Sequence, residues 1–193
     1  MPVVNIRDKV PYDVYVGRDT GKTHYGNPFS HMYGSMAAVI VGSRQESIEA
    51  FEKWLRGQAH RNVEQERRRW ILEHLSCLRG KTVGCFCAPA ACHGTSLLKL
   101  AETACSLSEL KNGQKGTVLL VSGDDGLAQK LQEIGLIEGC EVQMVRAGDP
   151  LCVSFIGSSG KETHRSLAGG RNCQHPPFSN LFPLFSKEPL LFS

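Results

Sequence analysis

The first hundred residues alternate short strands with helices, and this order restricts the fold more than any other feature of the chain. "PVVNI" (2–6) and "YDVYVG" (12–17) are rich in β-branched and aromatic residues and end at Asp or Gly, as short strands do. Ser43 and Glu46 have the spacing of a capping box and open a helix with Ile48, Phe51, Trp54 and Leu55 on one face, stopped at Gly57. A second helix is expected from Asn62 to Leu78, with Trp70, Ile71, Leu75 and Leu78 on its buried side. "KTVGCF" (81–86) reads as a third strand. "GTSLLKLAETA" (94–104) reads as a third helix that turns Leu97, Leu98 and Ala101 inward. A strand–helix–strand–helix order favours a small α/β layer built on a parallel pair. Residues 17–35, "GRDTGKTHYGNPFSHMYGS", show no period and are expected to form a long loop, of the kind that often carries function.

The pattern changes near residue 105. "LSELKNGQKGTVLLVSG" is a turn followed by a strand, and "DGLAQKLQEIGLIEG" is a short helix with Leu127, Leu131 and Ile134 in one stripe, closed by Gly135. "CEVQMVRAGDPLCVSFIGSSGKETHRSLA" alternates like a meander broken at 148–150 and 157–160, which fits a small β-barrel with one helical insertion. The expected organisation is a small Rossmann-like α/β layer over 1–104, a β-barrel over 106–168 and an extended tail over 169–193. The Phe and Leu content of that tail also allows a docked segment.

At 193 residues, 41% hydrophobic and 21% charged, the chain has the composition of a globular protein and room for one ordinary domain or two small ones. No apolar run reaches the ~18 residues that span a bilayer. The start, "MPVVNIRDKVPYD", lacks the basic and apolar regions of a secretory signal, so a cytoplasmic location with reduced cysteines is expected. Residues 1–104 carry 14 Lys+Arg against 10 Asp+Glu and residues 105–193 carry 8 against 9, so any preference for anions belongs to the first half. That excess is too small for a dedicated DNA-binding surface. "RRRW" (67–70), among Glu64, Glu66 and Glu73, reads as a solvated helix face.

"GKTVGCFCAPAACHGTSL" (80–97) places Cys85, Cys87, Cys92 and His93 within nine positions. Cys85 and Cys87 share one face of a strand. Cys92 and His93 lie where the turn enters a helix, whose free N–H groups and positive end favour thiolate. The carboxyl end of a parallel strand is also where open α/β sheets bind ligands. Three readings stand side by side. Cys85, Cys87, Cys92 and His93 are candidate ligands of iron or zinc. The adjacency of Cys92 and His93 is awkward for one ion, so a three-ligand set drawing on His24 or His31 is an equal option. Cys92 is alternatively a nucleophile, with His93 or His24 as base. Or the cysteines are small buried hydrophobes, as expected of Cys77, Cys105, Cys140 and Cys152; Cys173 with His175 is read as incidental. In the 17–35 loop, Gly17, Arg18, Lys22 and Gly26 offer N–H groups and two cations to an anion, without the order of a P-loop. Arg18, Lys22, Asn27 and Gly94 are the ligand-binding candidates, although "GNPF" is also a good turn.

Two family resemblances rest on these residues. "VVNIRDK", "DVYVGR", "YGNPF", "SRQESIEAFEKWL" and "LRGKTVGCFCAPAACHG", within 3–104, resemble the family catalogued as domain of unknown function 4326. That family has an aromatic between the first two cysteines, here Phe86, and an acidic residue after the CHG, where this chain has Thr95. "LSELKNGQKGTVLLVSG", "LAQKLQEIGLIEGCEVQMV" and "GDPLCVSFIG", within 106–168, resemble the FeoA family. The second resemblance implies an SH3-like β-barrel linked to ferrous iron transport and to metal-dependent regulation, with a protein partner for the barrel. Its final strand departs, with "KETHRSLAGGRNC" in place of an apolar stretch. The expected function is a metal-binding regulatory protein. The alternative is an enzyme acting on a nucleotide, nucleobase or similar anionic small molecule in a crevice between the 17–35 loop and the 87–94 turn.

Overall fold

The computed structural model describes residues 2–18, 24–121, 125–148, 151–156, 162–167 and 184–187, and the chain forms two compact units, Met1–Glu102 and Thr103–Ser193. In the first unit the elements run β1 (Val3–Asn5), β2 (Val14–Tyr15), β3 (Phe29–Ser30), β4 (Val39–Ile40), α1 (Arg44–Leu55), α2 (Gln65–Glu73), β5 (Val83–Cys85) and α3 (His93–Thr103). β5 lies between β1 and β2, parallel to both, and all three of its residues are buried, which is why the strand carries no polar side chain. The register sets Asn5 opposite Cys85. From there the Asn5 amide donates to the carbonyls of Ala88 at 2.6 Å and Phe86 at 3.3 Å, fixing the turn that leaves β5.

The Ser43 hydroxyl accepts from Glu46 N–H at 3.1 Å, as a capping residue should, while Glu46 reaches back to the Gly42 N–H at 2.9 Å. α1 then buries Ala50, Phe51, Trp54 and Leu55. The second helix is shorter than its sequence pattern. α2 ends at Glu73, and a 3₁₀ turn carries on through Leu75–Leu78. At the break, the His74 ring bonds to the Trp70 carbonyl at 2.8 Å and stacks on the Trp70 indole at 4.1 Å. Trp70 consequently packs among His24, Tyr25 and His74 and is only half-buried.

Two expectations are corrected here. The 17–35 segment is not loop throughout, because β3 pairs in parallel with β4. Arg68, within the run read as solvated, is 2% exposed. Its guanidinium donates to the Trp54 carbonyl at 2.7 Å and the Leu55 carbonyl at 3.0 Å, closing the C-terminal end of α1 with a positive charge where the helix dipole is negative. A basic run with glutamates nearby does not show which of its members points inward.

The second unit runs β6 (Ala104–Ser106), β7 (Lys115–Leu120), α4 (Asp125–Glu133), β8 (Glu141–Arg146), β9 (Leu151–Ile156), β10 (Glu162–Leu167) and β11 (Leu184–Lys187). All its strand pairs are antiparallel, in the order β10-β9-β8-β7-β11-β6. Leu107, Leu110, Val118, Leu131, Val142, Met144, Val153, Phe155 and Phe185 form its core, with Cys105 among them as a small hydrophobe. The segment read as an extended tail thus supplies an interior strand. Phe185 is fully buried, and Gly116 admits the strand, since a Cβ there would stand 3.0 Å from the Ser186 carbonyl oxygen. The described residues are therefore mixed α/β, with a three-stranded and a two-stranded parallel sheet in the first unit and a six-stranded antiparallel sheet in the second.

Arg68→Ala leaves two helix-end carbonyls without their donor and is expected to destabilise the first unit by about 2–4 kcal/mol, against roughly 0.5 kcal/mol or less for exposed Arg69→Ala. Trp54 and Trp70 are the chain's two tryptophans and both lie in that unit. Urea unfolding followed by tryptophan fluorescence therefore measures the difference. Equal midpoints for the two variants would refute the capping role.

Candidate functional site

The site begins where β5 ends. Cys85, its last residue, is buried, Cys87 is half-buried in the turn, and Cys92 is buried immediately before α3. The Cys92 thiol accepts the Gly94 N–H at 3.3 Å, so a sulphur takes the place of the usual capping oxygen. His93, the first residue of α3, is 6% exposed, with the Phe51 ring edge-on at 5.2 Å. Its Nε2 lies 2.8 Å from the Val16 carbonyl oxygen. A carbonyl can only accept, so Nε2 carries the proton and Nδ1 presents its lone pair, 3.8 Å from the Cys92 sulphur. Burial holds the imidazole below its ordinary pKa, the Val16 carbonyl opposing it more weakly, and the ring is neutral near pH 7.

Ligand atoms of Cys85, Cys92 and His93 all lie within 4.8 Å of one another. The adjacency that made Cys92 and His93 awkward partners on paper is resolved by their position. One sits before the first turn of α3 and the other begins it, and their side chains converge. Cys87 stands outside that set of three but lines the same cavity as both other sulphurs. Its thiol is pushed far below the usual range, first by the Cys85 hydrogen bond and then by that of Cys92, with Arg44 and His93 adding smaller effects. Cys92 moves the opposite way, raised by its hydrogen bonds to Cys85 and Cys87 and by burial, against which the Gly94 N–H is too weak. Cys85 is raised as well, chiefly by Cys87. The helix start alone points to Cys92 as the thiolate; the neighbouring sulphurs transfer that character to Cys87.

A cavity of about 560 Å³ opens beside the cluster. Cys85, Cys87, Cys92 and His93 line it together with Arg7, Arg18, Arg44, Asn27, His31, Ser35, Ser47, Met32, Met36 and Phe86. The 17–35 segment and the 85–93 turn therefore border one space. Arg18 donates to the carbonyls of Asn27 at 3.3 Å and Phe29 at 3.2 Å, which braces that segment. Asn27, 5% exposed, commits its side chain inward: its amide donates to the Ser47 hydroxyl at 3.0 Å and its oxygen accepts the Phe29 N–H at 2.8 Å. Gly94 is not on the cavity. A Cβ there would meet Val16 and Val3 at 3.3–3.4 Å, so it serves the close approach of α3 to the sheet. His31 lines the cavity, whereas His24 borders a separate hollow beside Trp70 and Arg67. Lys22 lies outside the described residues. Arg7, Arg44, Ser35 and Ser47 escaped the sequence reading, since nothing in a short loop or a helix start marks which side chains face inward.

The family described as a domain of unknown function, DUF4326, matches residues 4–103. This chain belongs to that family. The FeoA domain matches residues 105–162, continuing where the DUF4326 match stops. Among solved structures, the chain is similar to the crystal structure of an iron uptake regulatory protein (FeoA), at 28% identity over 34% of this chain and 81% of that one, with a TM-score of 0.29. It is also similar to the solution structure of the FeoA protein from Chlorobium tepidum, at 28% identity over 37% and 79%, with a TM-score of 0.26. No curated protein matches. The cysteine cluster and the cavity both fall in the DUF4326 match, and no helix among the described residues is long and apolar enough to cross a membrane.

In metal-free protein, Cys87 is expected to react with iodoacetamide first among the three clustered cysteines and to hold its rate down to pH ~6, well under the ordinary thiol range near 8.5. A lowered pKa leaves the thiolate present above it, and the rate falls only as acid reaches it. Cys92→Ala removes one donor and should shift that profile toward higher pH. Mass-spectrometric mapping of alkylation against pH reads both effects; an ordinary thiol profile at Cys87 would refute the arrangement.

Proposed function

We propose that the DUF4326 domain binds a divalent transition metal, zinc or iron, through Cys85, Cys92 and His93, with Cys87 beside them. The observation that carries this reading is the convergence of two sulphurs and an imidazole nitrogen within 4.8 Å, the far nitrogen of the ring being tied to a backbone carbonyl. Two thiolates and a neutral imidazole form a donor set suited to these metals, and all three residues line the cavity. A carbonyl on the distal nitrogen of a ligating histidine fixes its tautomer and orientation, as metal sites commonly require. When bound, the metal would supply Lewis acidity or a structural anchor. The chain's own part is to keep three thiols and a neutral imidazole together in a largely buried site. A reducing compartment suits such thiols, so we place the protein in the cytoplasm.

The FeoA match supports an iron-transport-associated role. It also supports reading the second sheet as an SH3-like barrel over 106–168 that contacts a protein partner, with β11 as an addition from beyond it. The parallel β1-β5-β2 sheet followed by α3 supports reading residues 1–104 as a small Rossmann-like layer. Together these describe a metal-linked regulatory protein. A second reading, an enzyme acting on a nucleotide, nucleobase or similar anionic molecule, is supported by the cavity that the two expected crevice walls share.

Protein purified without oxygen is expected to carry about one equivalent of zinc or iron by elemental analysis. Cys85→Ser, Cys92→Ser and His93→Ala should each abolish it, whereas Cys87→Ser should retain most of it. Wild-type protein that neither carries nor binds metal, while folded by circular dichroism, would end the metal reading.

A further inference from the structure

The cavity beside the cysteines is rich in cations, with the Cys87 sulphur as the one described lining group the cluster makes anionic. Arg7, Arg18 and Arg44 all line it, and no Asp or Glu stands among its described lining residues. Three guanidinium groups around one space repel each other unless an anion lies between them, and planar, multiply donating guanidinium groups match phosphate well. Arg44 begins α1, where the positive end of the helix makes a cation unfavourable on its own account and an anion favourable. Ser35 lines the same cavity; its hydroxyl is buried and has no hydrogen-bond partner among the described residues. Such a group calls for a partner, and a bound phosphate oxygen would supply one.

The remaining wall differs in character. Phe86, Met32 and Met36 line the cavity while 50%, 59% and 60% exposed. The Phe86 ring is held in place by Tyr15, edge-on at 6.2 Å, and by the Arg7 guanidinium 5.4 Å from its centroid. A braced aromatic face beside two adaptable thioethers suits a flat, polarisable ring. The volume of about 560 Å³ lies within the range of small-molecule sites.

We propose that this cavity binds a nucleoside phosphate, its phosphate on Arg7, Arg44 and the Ser35 hydroxyl, its base against Phe86 and the two methionines. The inference rests on the nucleotide reading given above as second, names its ligand class, and does not require the metal. Arg18 completes the charge but also braces the 17–35 backbone, so it is not the residue to alter first.

The test is isothermal titration calorimetry of the full chain, metal-free and zinc-loaded, with the four ribonucleoside monophosphates, ATP, adenosine and inorganic pyrophosphate. At least one nucleotide should bind at one site per chain to the metal-free protein. Arg44→Gln should weaken it by about tenfold or more, and Phe86→Ala should weaken the nucleotide while leaving pyrophosphate unchanged. Tryptophan fluorescence checks that both variants are folded. The proposal is overturned if no nucleotide binds to the metal-free protein, if Arg44→Gln binds as wild type does, or if pyrophosphate matches the best nucleotide and Phe86→Ala has no effect. A nucleotide that binds as described but is recovered unchanged after prolonged incubation upholds the binding site and removes the enzyme reading alone.

Discussion

A single buried hydrogen bond, from the His93 imidazole to the Val16 carbonyl at 2.8 Å, joins the end of β2 to the start of α3, and the site depends on it. It sets the tautomer, so that Nδ1 is aimed at the Cys92 sulphur. It also answers a carbonyl at a strand end that would otherwise lie buried without a donor. The glycine at 94 and the valines at 3 and 16 bring the helix close enough to the sheet for the bond to form. A larger residue at 94 would press α3 away from β1 and β2 and part the imidazole from its carbonyl. Helix packing and ligand orientation are therefore one constraint, satisfied by one small residue.

The electrostatics follow from the same geometry. Three neighbouring sulphurs tend to share protons unequally, and the influence of Cys85 and Cys92 moves the Cys87 thiol down, toward the anionic form. A buried thiolate is unfavourable without compensating charge. Arg44 supplies part of that compensation across the cavity. The arginines are thus less isolated than their lining positions suggest, since one of them already faces a sulphur of negative character.

Much of this was legible in the sequence. The strand–turn–helix around Cys85–Thr103 declares itself because an apolar run, a turn and a helical stripe follow within a few residues, and the ligand atoms lie on its junctions. The capping residue of α1 is visible for the same local reason. What escaped depends on contacts remote in sequence. Arg68 is turned inward by carbonyls on another helix, and β3 is a strand only because β4 lies beside it. Arg7 and Arg44 share a cavity only through the fold. The pattern 184–187 is too short to show a period, and Phe185 is assigned by the core it fills.

The place of β11 has a consequence for the order of events during synthesis. β6 and β7 pair with it and not with each other, so the seam between them stays open until residues 184–187 are made. Leu120 and Leu184, partners across that seam, are translated roughly 3–13 seconds apart at ordinary elongation rates. The first unit, ending at Glu102, has its whole sequence in hand well before then. The pairings that join β6 and β7 into one sheet can therefore form only after the rest of that sheet's sequence has been made. Unpaired strand edges are templates for foreign strands, so the chain's own segment 184–187 guards in the complete sheet two edges that its absence would leave bare.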